Sequence, residues 1–228
     1  VPNKPQAKAA QERTRTRLYL VSPPAFDLPK FTESLKAALG GGDVGAFQLR
    51  LKGASESDIL RAAEKLLPVC QRQGTAFIMN DSPELAAKSG ADGVHIGQDD
   101  GGVKNARAIV GPAVTIGVSC HDSIHLAMVA GEAGADYVAF GAFYPTTSKS
   151  PEALKKWGTP KTDILEWWQA YMVLPCVAIG GINPSNCEPL VRAGADFIAV
   201  ITAVWDNESG PAEAVATFNK AIDRGMTD

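Results

Sequence analysis

Eight short runs rich in β-branched, aromatic and other apolar residues alternate with segments of helical spacing. The runs are Arg17–Val21, Ala46–Leu51, Ala76–Met79, Gly93–Ile96, Val114–Val118, Tyr137–Ala142, Cys176–Ile179 and Phe197–Ile201. The clearest helical segments between them are Ser57–Arg72, Ser82–Ser89, Ser123–Ala133 and Pro184–Ala193. Ser57 and Ser82 suit N-caps, and Pro83 and Pro184 suit first helical turns. Strands separated by helices imply parallel pairing through βαβ crossovers. An internal echo marks three helix-to-strand junctions: Gly90-Ala91-Asp92-Gly93-Val94, Gly134-Ala135-Asp136-Tyr137-Val138 and Gly194-Ala195-Asp196-Phe197-Ile198. The glycine can end a helix in the left-handed conformation, and the Asp suits the short turn into the strand. The copies lie 44 and 60 residues apart, which suits one or more βα units and not a short solenoid repeat. Eight βα units in 228 residues predict an α/β chain folded as a single (β/α)8 TIM barrel. The alternative is an open doubly wound sheet. Gly180-Gly181 follows a strand but lacks the Gly-x-Gly-x-x-Gly spacing of a dinucleotide site, which weakens that alternative.

The barrel is expected over residues 17–228, preceded by a short polar extension, residues 1–16, as a flexible arm. A chain this long buries roughly 70% of its unfolded surface and needs no metal or disulfide to fold. Lys and Arg number 22 against 25 Asp and Glu, a formal net charge of -3, which argues against a nucleic-acid partner but allows a local anion site. No apolar run reaches the ~18 residues of a membrane span. Cys70, Cys120, Cys176 and Cys187 form no CxxC pair and no zinc-type cluster, and no secretory signal heads the chain. A cytoplasmic location with reduced thiols is expected. Cys120 could have a site role beside Ser119, although burial is the simpler reading.

A barrel builds its active site at the C-terminal ends of its strands. At the second exit, Gln48, Arg50 and Lys52 share one face, by the period of two, while Leu49 and Leu51 share the other. Two cations inside a barrel need an anionic partner. Either barrel carboxylates form an internal ion-pair network with them, or an anionic ligand does. The third exit carries Asn80-Asp81 and the fourth Gln98-Asp99-Asp100. Asp81 and Asp100, without His or Cys, suit a hard cation such as Mg2+, which takes oxygen ligands and keeps room for substrate phosphate. Helix capping explains Asp81 equally well, because Ser82-Pro83-Glu84 follows it.

The fifth exit is Gly117-Val118-Ser119. The sixth opens into a polar stretch from Pro145 to Lys161. There Lys149, Lys155, Lys156 and Lys161 outnumber Glu152, which suits a lid over phosphate or a solvated loop. Lys149, among hydroxyls, is the better functional residue of the four. Gly180-Gly181 and Ile201-Thr202 end the seventh and eighth strands, where barrels of this kind hold phosphate on backbone N–H groups; glycine packing is the alternative. His95 faces either the site or a satisfied core. His121, His125 and the four tryptophans form no evident constellation, and no nucleophile triad stands out. Two anion grips and one metal therefore point to group transfer between two phosphorylated small molecules.

The ordered strand-exit motifs resemble the thiamine-phosphate synthase (thiamine-phosphate pyrophosphorylase) family. They are Gln48-x-Arg50-x-Lys52, Asn80-Asp81, His95-x-Gly97-Gln98-x-Asp100, Gly117-Val118-Ser119, Pro145-Thr146 with Lys149, Ile179-Gly180-Gly181-Ile182 and Ile201-Thr202. The likeness runs from about Leu18 to Ile222. It implies a transferase that condenses hydroxymethylpyrimidine diphosphate with thiazole phosphate, giving thiamine phosphate and diphosphate. It also implies that Asp81 and Asp100 bind Mg2+. Arg50, Lys52, Asn80, Ser119 and Lys149 would hold the diphosphate, with Arg50, Lys52, Ser119 and Lys149 as the catalytic set. Gln48, Tyr19 and His95 would contact the pyrimidine. Thr146, Ser148, Gly181, Ile201 and Thr202 would cradle the thiazole phosphate. Leu51 stands where the family often has an acid, and Ser148 where it usually has Thr. The rivals are a thiazole tautomerase of the same superfamily, another phosphate-binding barrel enzyme such as a Lys52 Schiff-base aldolase, and a non-catalytic thiamine-phosphate-binding barrel. Oligomeric state is not legible in the residues.

Overall fold

The computed structural model describes residues 13–146 and 157–227. Its strands are β1 (Arg17–Val21), β2 (Val44–Leu49), β3 (Ala76–Asn80), β4 (Gly93–Ile96), β5 (Thr115–His121), β6 (Tyr137–Phe140), β7 (Cys176–Ile179) and β8 (Phe197–Val200). All neighbours pair parallel in chain order, and β8 returns to β1, so the barrel closes. The described helices are α1 (Leu28–Gly40), α2 (Glu56–Gln71), α3 (Pro83–Ser89), α4 (Gly102–Val110), α5 (Ile124–Glu132), α6 (Asp163–Tyr171), α7 (Glu188–Arg192), α8 (Thr202–Trp205) and α9 (Pro211–Met226). Closure rules out the open sheet. Among the described residues no helix is long and apolar enough to cross a membrane.

The three Gly-Ala-Asp junctions have one physical meaning. Asp92, Asp136 and Asp196 each precede an even-numbered strand. Each carboxylate accepts the backbone N–H of a residue on the strand before it: Phe77 at 2.7 Å, Ile116 at 2.7 Å and Cys176 at 2.8 Å. Each Asp also donates its own N–H to that residue's carbonyl. The echo is thus a clamp at the N-terminal ends of the β3/β4, β5/β6 and β7/β8 pairs. Asp43, just before β2, plays a variant of the same part by taking the guanidinium of Arg17 on β1.

Side-chain alternation divides the sheet into two apolar layers. Leu18, Leu20, Phe47, Leu49, Phe77, Met79, Val94 and Ile96 face the helices and are buried there. Tyr19, Val21, Ala46, Ile78, Tyr137, Ala139, Val177 and Ala199 fill the barrel interior. Large rings fit inside because glycines face them: a Cβ on Gly45 would lie 2.6 Å from the Phe197 ring. Full burial of a large apolar side chain contributes about 1.5–3 kcal/mol, so the outer layer is the main source of stability.

Several boundaries differ from the sequence expectation for local reasons. Ser55, not Ser57, caps α2, its hydroxyl accepting the Asp58 N–H at 3.2 Å. The Pro184–Ala193 segment is helical only over Glu188–Arg192, because Asn183 and Asn186 side chains bond backbone N–H groups in a preceding turn. β2 stops at Leu49, yet its extended path continues: Arg50 N–H reaches the Ser22 hydroxyl and Lys52 N–H the Pro24 carbonyl. Part of the expected arm is fastened. The Thr16 hydroxyl is buried and donates to Ala195 O at 2.6 Å, Arg13 donates to Val191 O and Ala195 O, and Arg15 pairs with Asp43 and Asp223. Residues 1–12 lie outside the described residues.

Candidate active site

Every strand exit contributes to one cleft of about 460 Å3 at the C-terminal end of the barrel. Val21 comes from β1, and Gln48, Arg50 and Lys52 from β2 and its continuation. Asn80 and Asp81 follow from β3, His95 and Gly97 from β4, and Ser119 and His121 from β5. Thr146 follows β6, Gly180 and Gly181 follow β7, and Ile201 and Thr202 follow β8. The alternation of Gln48, Arg50 and Lys52 therefore does what their spacing predicts. Leu49 and Leu51 pack outward, so Leu51 in place of an acid leaves the cleft untouched.

One end of the cleft is charged. Among the described residues neither Arg50 nor Lys52 makes an ion pair, which disfavours the internal-network reading. Both lie close enough to Asp81 to pull its carboxyl downward, but burial and the like charge of Asp100 outweigh them and raise it. Burial lowers the Arg50 guanidinium, with Asp81 opposing. Asp81 does not cap α3; Ser82 does, its hydroxyl accepting the Leu85 N–H at 3.2 Å. Asp81 instead adopts a left-handed backbone, φ 65°, with its N–H bonded to His95 O at 2.8 Å. Asp100 folds back in the β4 exit, where its carboxylate accepts the Gly97 N–H at 2.7 Å, and it acts on Asp81 through space. Among the described residues no group of three or more His, Cys, Asp or Glu could hold a metal alone.

The floor is a hydrogen-bonded column. The Ser119 hydroxyl lies 2.9 Å from His95 Nε2, His95 Nδ1 lies 3.0 Å from the Tyr137 hydroxyl, and that hydroxyl lies 2.9 Å from the Tyr19 hydroxyl. Burial depresses the His95 imidazole to about 4, so it is neutral near pH 7. His95 is thus both a cleft residue and a satisfied interior histidine. Tyr19, expected to contact the pyrimidine, is not among the cleft-lining residues and packs with the interior side chains. Gln98 donates its side-chain N–H to Ser119 O at 2.7 Å and fixes that strand end.

The opposite end is made of backbone. Gly180 and Gly181 have φ of 105° and 65°. A Cβ on Gly180 would lie 2.3 Å from Ala142 Cβ, and one on Gly181 would lie 2.4 Å from Pro145 O. Asn186 donates to Gly181 O at 3.1 Å, and the Tyr144 hydroxyl donates to Asn186 O at 2.8 Å. Those two supports carried no sequence signal. His121 and Trp157 also went unsignalled: their rings stack at 4.1 Å and 6° and both line the cleft. Cys120 is buried, its thiol pushed up to about 12, which leaves it a packing residue. Lys161 is exposed and does not line the cleft. Ser148, Lys149, Lys155 and Lys156 lie outside the described residues.

Residues 18–204 match the family model described as thiamine monophosphate synthase. A thiamine-phosphate synthase of Rhodospirillum centenum is 56% identical over 92% of this chain and 99% of the relative. One from Hyphomonas neptunium is 51% identical over 92% of this chain and 95% of the relative. Among solved structures, the thiamine phosphate pyrophosphorylase of Pyrococcus furiosus superposes with a TM-score of 0.80 at 29% identity, covering 92% of this chain and 96% of that one. The strand-exit motifs, the closed barrel and these likenesses agree: the chain belongs to the thiamine monophosphate synthase family.

Proposed function

We propose that the chain is a transferase that joins hydroxymethylpyrimidine diphosphate to thiazole phosphate, releasing diphosphate and forming thiamine phosphate. The observation that carries this reading is the two-ended cleft: at one end Arg50 and Lys52, which make no ion pair among the described residues, with Asp81 in the lining and Asp100 acting on it, and at the other a glycine-built loop. A diphosphate fits the first end and a monophosphate the second. Such an enzyme acts on phosphorylated small molecules.

The charged end fits Mg2+. Asp81 and Asp100 are all-oxygen donors whose mutual repulsion a divalent cation would relieve, and a two-carboxylate set leaves positions for substrate oxygens. When bound there, Mg2+ supplies charge neutralisation to the leaving diphosphate. Arg50, Lys52 and Asn80 hold the diphosphate oxygens, with Lys149 in the same role. Gln48, buried at the cleft wall, reads the pyrimidine edge together with His95. As the methylene C–O bond breaks, its electron pair leaves with the diphosphate, and positive charge spreads into the amino-pyrimidine ring. Fixed cations stabilise the departing charge where it develops. The thiazole nitrogen, positioned by its phosphate on Gly181, Ile201 and Thr202 with Thr146 and Ser148, then bonds to the methylene. No protein nucleophile is required. A cytoplasmic location belongs to this reading; the four cysteines are buried and free, as a reducing compartment keeps them.

The test supplies both substrates with and without Mg2+ and measures thiamine phosphate. Product that needs the metal and falls ~100-fold or more in Asp81→Ala and Asp100→Ala supports the reading. Full turnover in the presence of a chelator rejects the metal assignment.

A further inference from the structure

The column beneath the cleft has a direction, and that direction assigns a role to a residue outside the cleft. Tyr19 and Tyr137 each own one O–H donor. Both are buried in the barrel interior. Among the described residues the hydroxyl of Tyr19 meets one polar partner, the hydroxyl of Tyr137. If the column ran downward from Ser119, the Tyr19 O–H would be last and would have no protein acceptor, a cost of about 1–3 kcal/mol for a buried donor. Run upward, every donor below Ser119 is used. Tyr19 donates to Tyr137, Tyr137 donates to His95 Nδ1, and His95 donates from Nε2 to the Ser119 oxygen. The Ser119 proton is then left over, on a hydroxyl that lines the cleft.

We propose that Tyr137 is a positioning residue which, through His95, makes the Ser119 hydroxyl a donor aimed into the cleft, at an oxygen of the departing diphosphate. The role rests on the functional reading above; the polarity does not. Three features keep the column in place. Gly117 on β5 has no side chain, so the Tyr137 ring sits against the strand that carries Ser119. The His95 and Tyr137 rings lie 5.6 Å apart at 28°, and the Tyr19 ring meets Tyr137 edge-on at 6.2 Å. Gln98 holds the Ser119 carbonyl. A neutral imidazole is required, because a protonated one would donate from both nitrogens and turn Tyr137 around. Among the described residues the His95 ring nitrogens meet two hydroxyls and no carboxylate, so nothing there supplies the counter-charge an imidazolium would need.

The chain has 3 histidines, so the tautomer of His95 can be read by long-range proton–nitrogen NMR on the protein without substrates. The expected spectrum has His95 protonated on Nε2 and bare on Nδ1; a proton on Nδ1 overturns the polarity. In steady-state assays, Tyr137→Phe keeps the ring and removes the hydroxyl. It should lower kcat roughly tenfold, as loss of one oriented hydrogen bond to a charged group does, with KM for thiazole phosphate unchanged. Ser119→Ala should lower kcat at least as much, and the double variant should fall no further than Ser119→Ala alone. Wild-type kcat in Tyr137→Phe, or multiplicative losses in the double variant, overturns the positioning role. A wild-type protein that makes no thiamine phosphate overturns the functional reading instead, while the spectrum still decides the polarity.

Discussion

The ring of Tyr137 occupies the space a side chain on Gly117 would need: a Cβ there would lie 1.9 Å from Tyr137 Cζ. The two residues sit on paired strands in direct register. Gly117→Ala should therefore push the ring off its column. Overpacking of this kind costs about 1–3 kcal/mol, so the expected result is a lowered Tm together with a kcat loss like that of Tyr137→Phe. Thermal unfolding at wild-type Tm would show that the interior has slack the packing denies.

The Asp clamps predict a stability effect far from the chemistry. Asp136 accepts the Ile116 N–H at 2.7 Å and pairs with Arg107 at 2.6 Å. Asp136→Ala leaves the strand-end N–H of Ile116 without its acceptor and should cost roughly 1–3 kcal/mol in denaturant unfolding. KM for both substrates should stay at the wild-type value, since the clamp lies at the opposite end of the barrel. A changed KM with unchanged stability would contradict this division.

Gly181 allows the two ends of the cleft to be tested separately. Its φ of 65° is left-handed, and a Cβ on it would lie 2.4 Å from Pro145 O, so a methyl group has no room. Gly181→Ala should raise KM for thiazole phosphate ~10-fold or more while leaving the pyrimidine diphosphate KM near wild type, because only one end is displaced. Equal effects on both substrates would place the monophosphate elsewhere.

His95 gives stability an acid limb. Its folded pKa, about 4, lies below its ordinary 6.5. Between those values the unfolded chain binds a proton that the native protein does not, so stability contributed by the neutral imidazole is complete above pH 6.5 and declines as pH falls toward about 4. His95→Gln should flatten that part of the Tm–pH curve. An unchanged slope would mean that other groups produce it.

Much of this protein was legible in its residues. Alternation of β-rich and helical segments determined a parallel α/β fold, because only parallel pairing suits that order, and the pairing of β8 with β1 decided the barrel over the open sheet. Period-two spacing put Gln48, Arg50 and Lys52 on one face and Leu49 and Leu51 on the other. The Gly-Ala-Asp echo marked its junctions. These signals are local: each depends on a few residues adjacent in the chain. Tertiary structure alone decided what distant residues do to one another. Asp81 could cap a helix until Ser82 was seen capping α3. Nothing near Tyr19 in the sequence announces that Tyr137, 118 positions away, meets its hydroxyl. The Asn186 and Tyr144 supports, the His121–Trp157 stack and the room Gly117 leaves for a ring likewise arise from strands closing into a barrel. Closure juxtaposes side chains whose separation along the chain carries no periodic signal, so those pairings follow from packing and not from pattern.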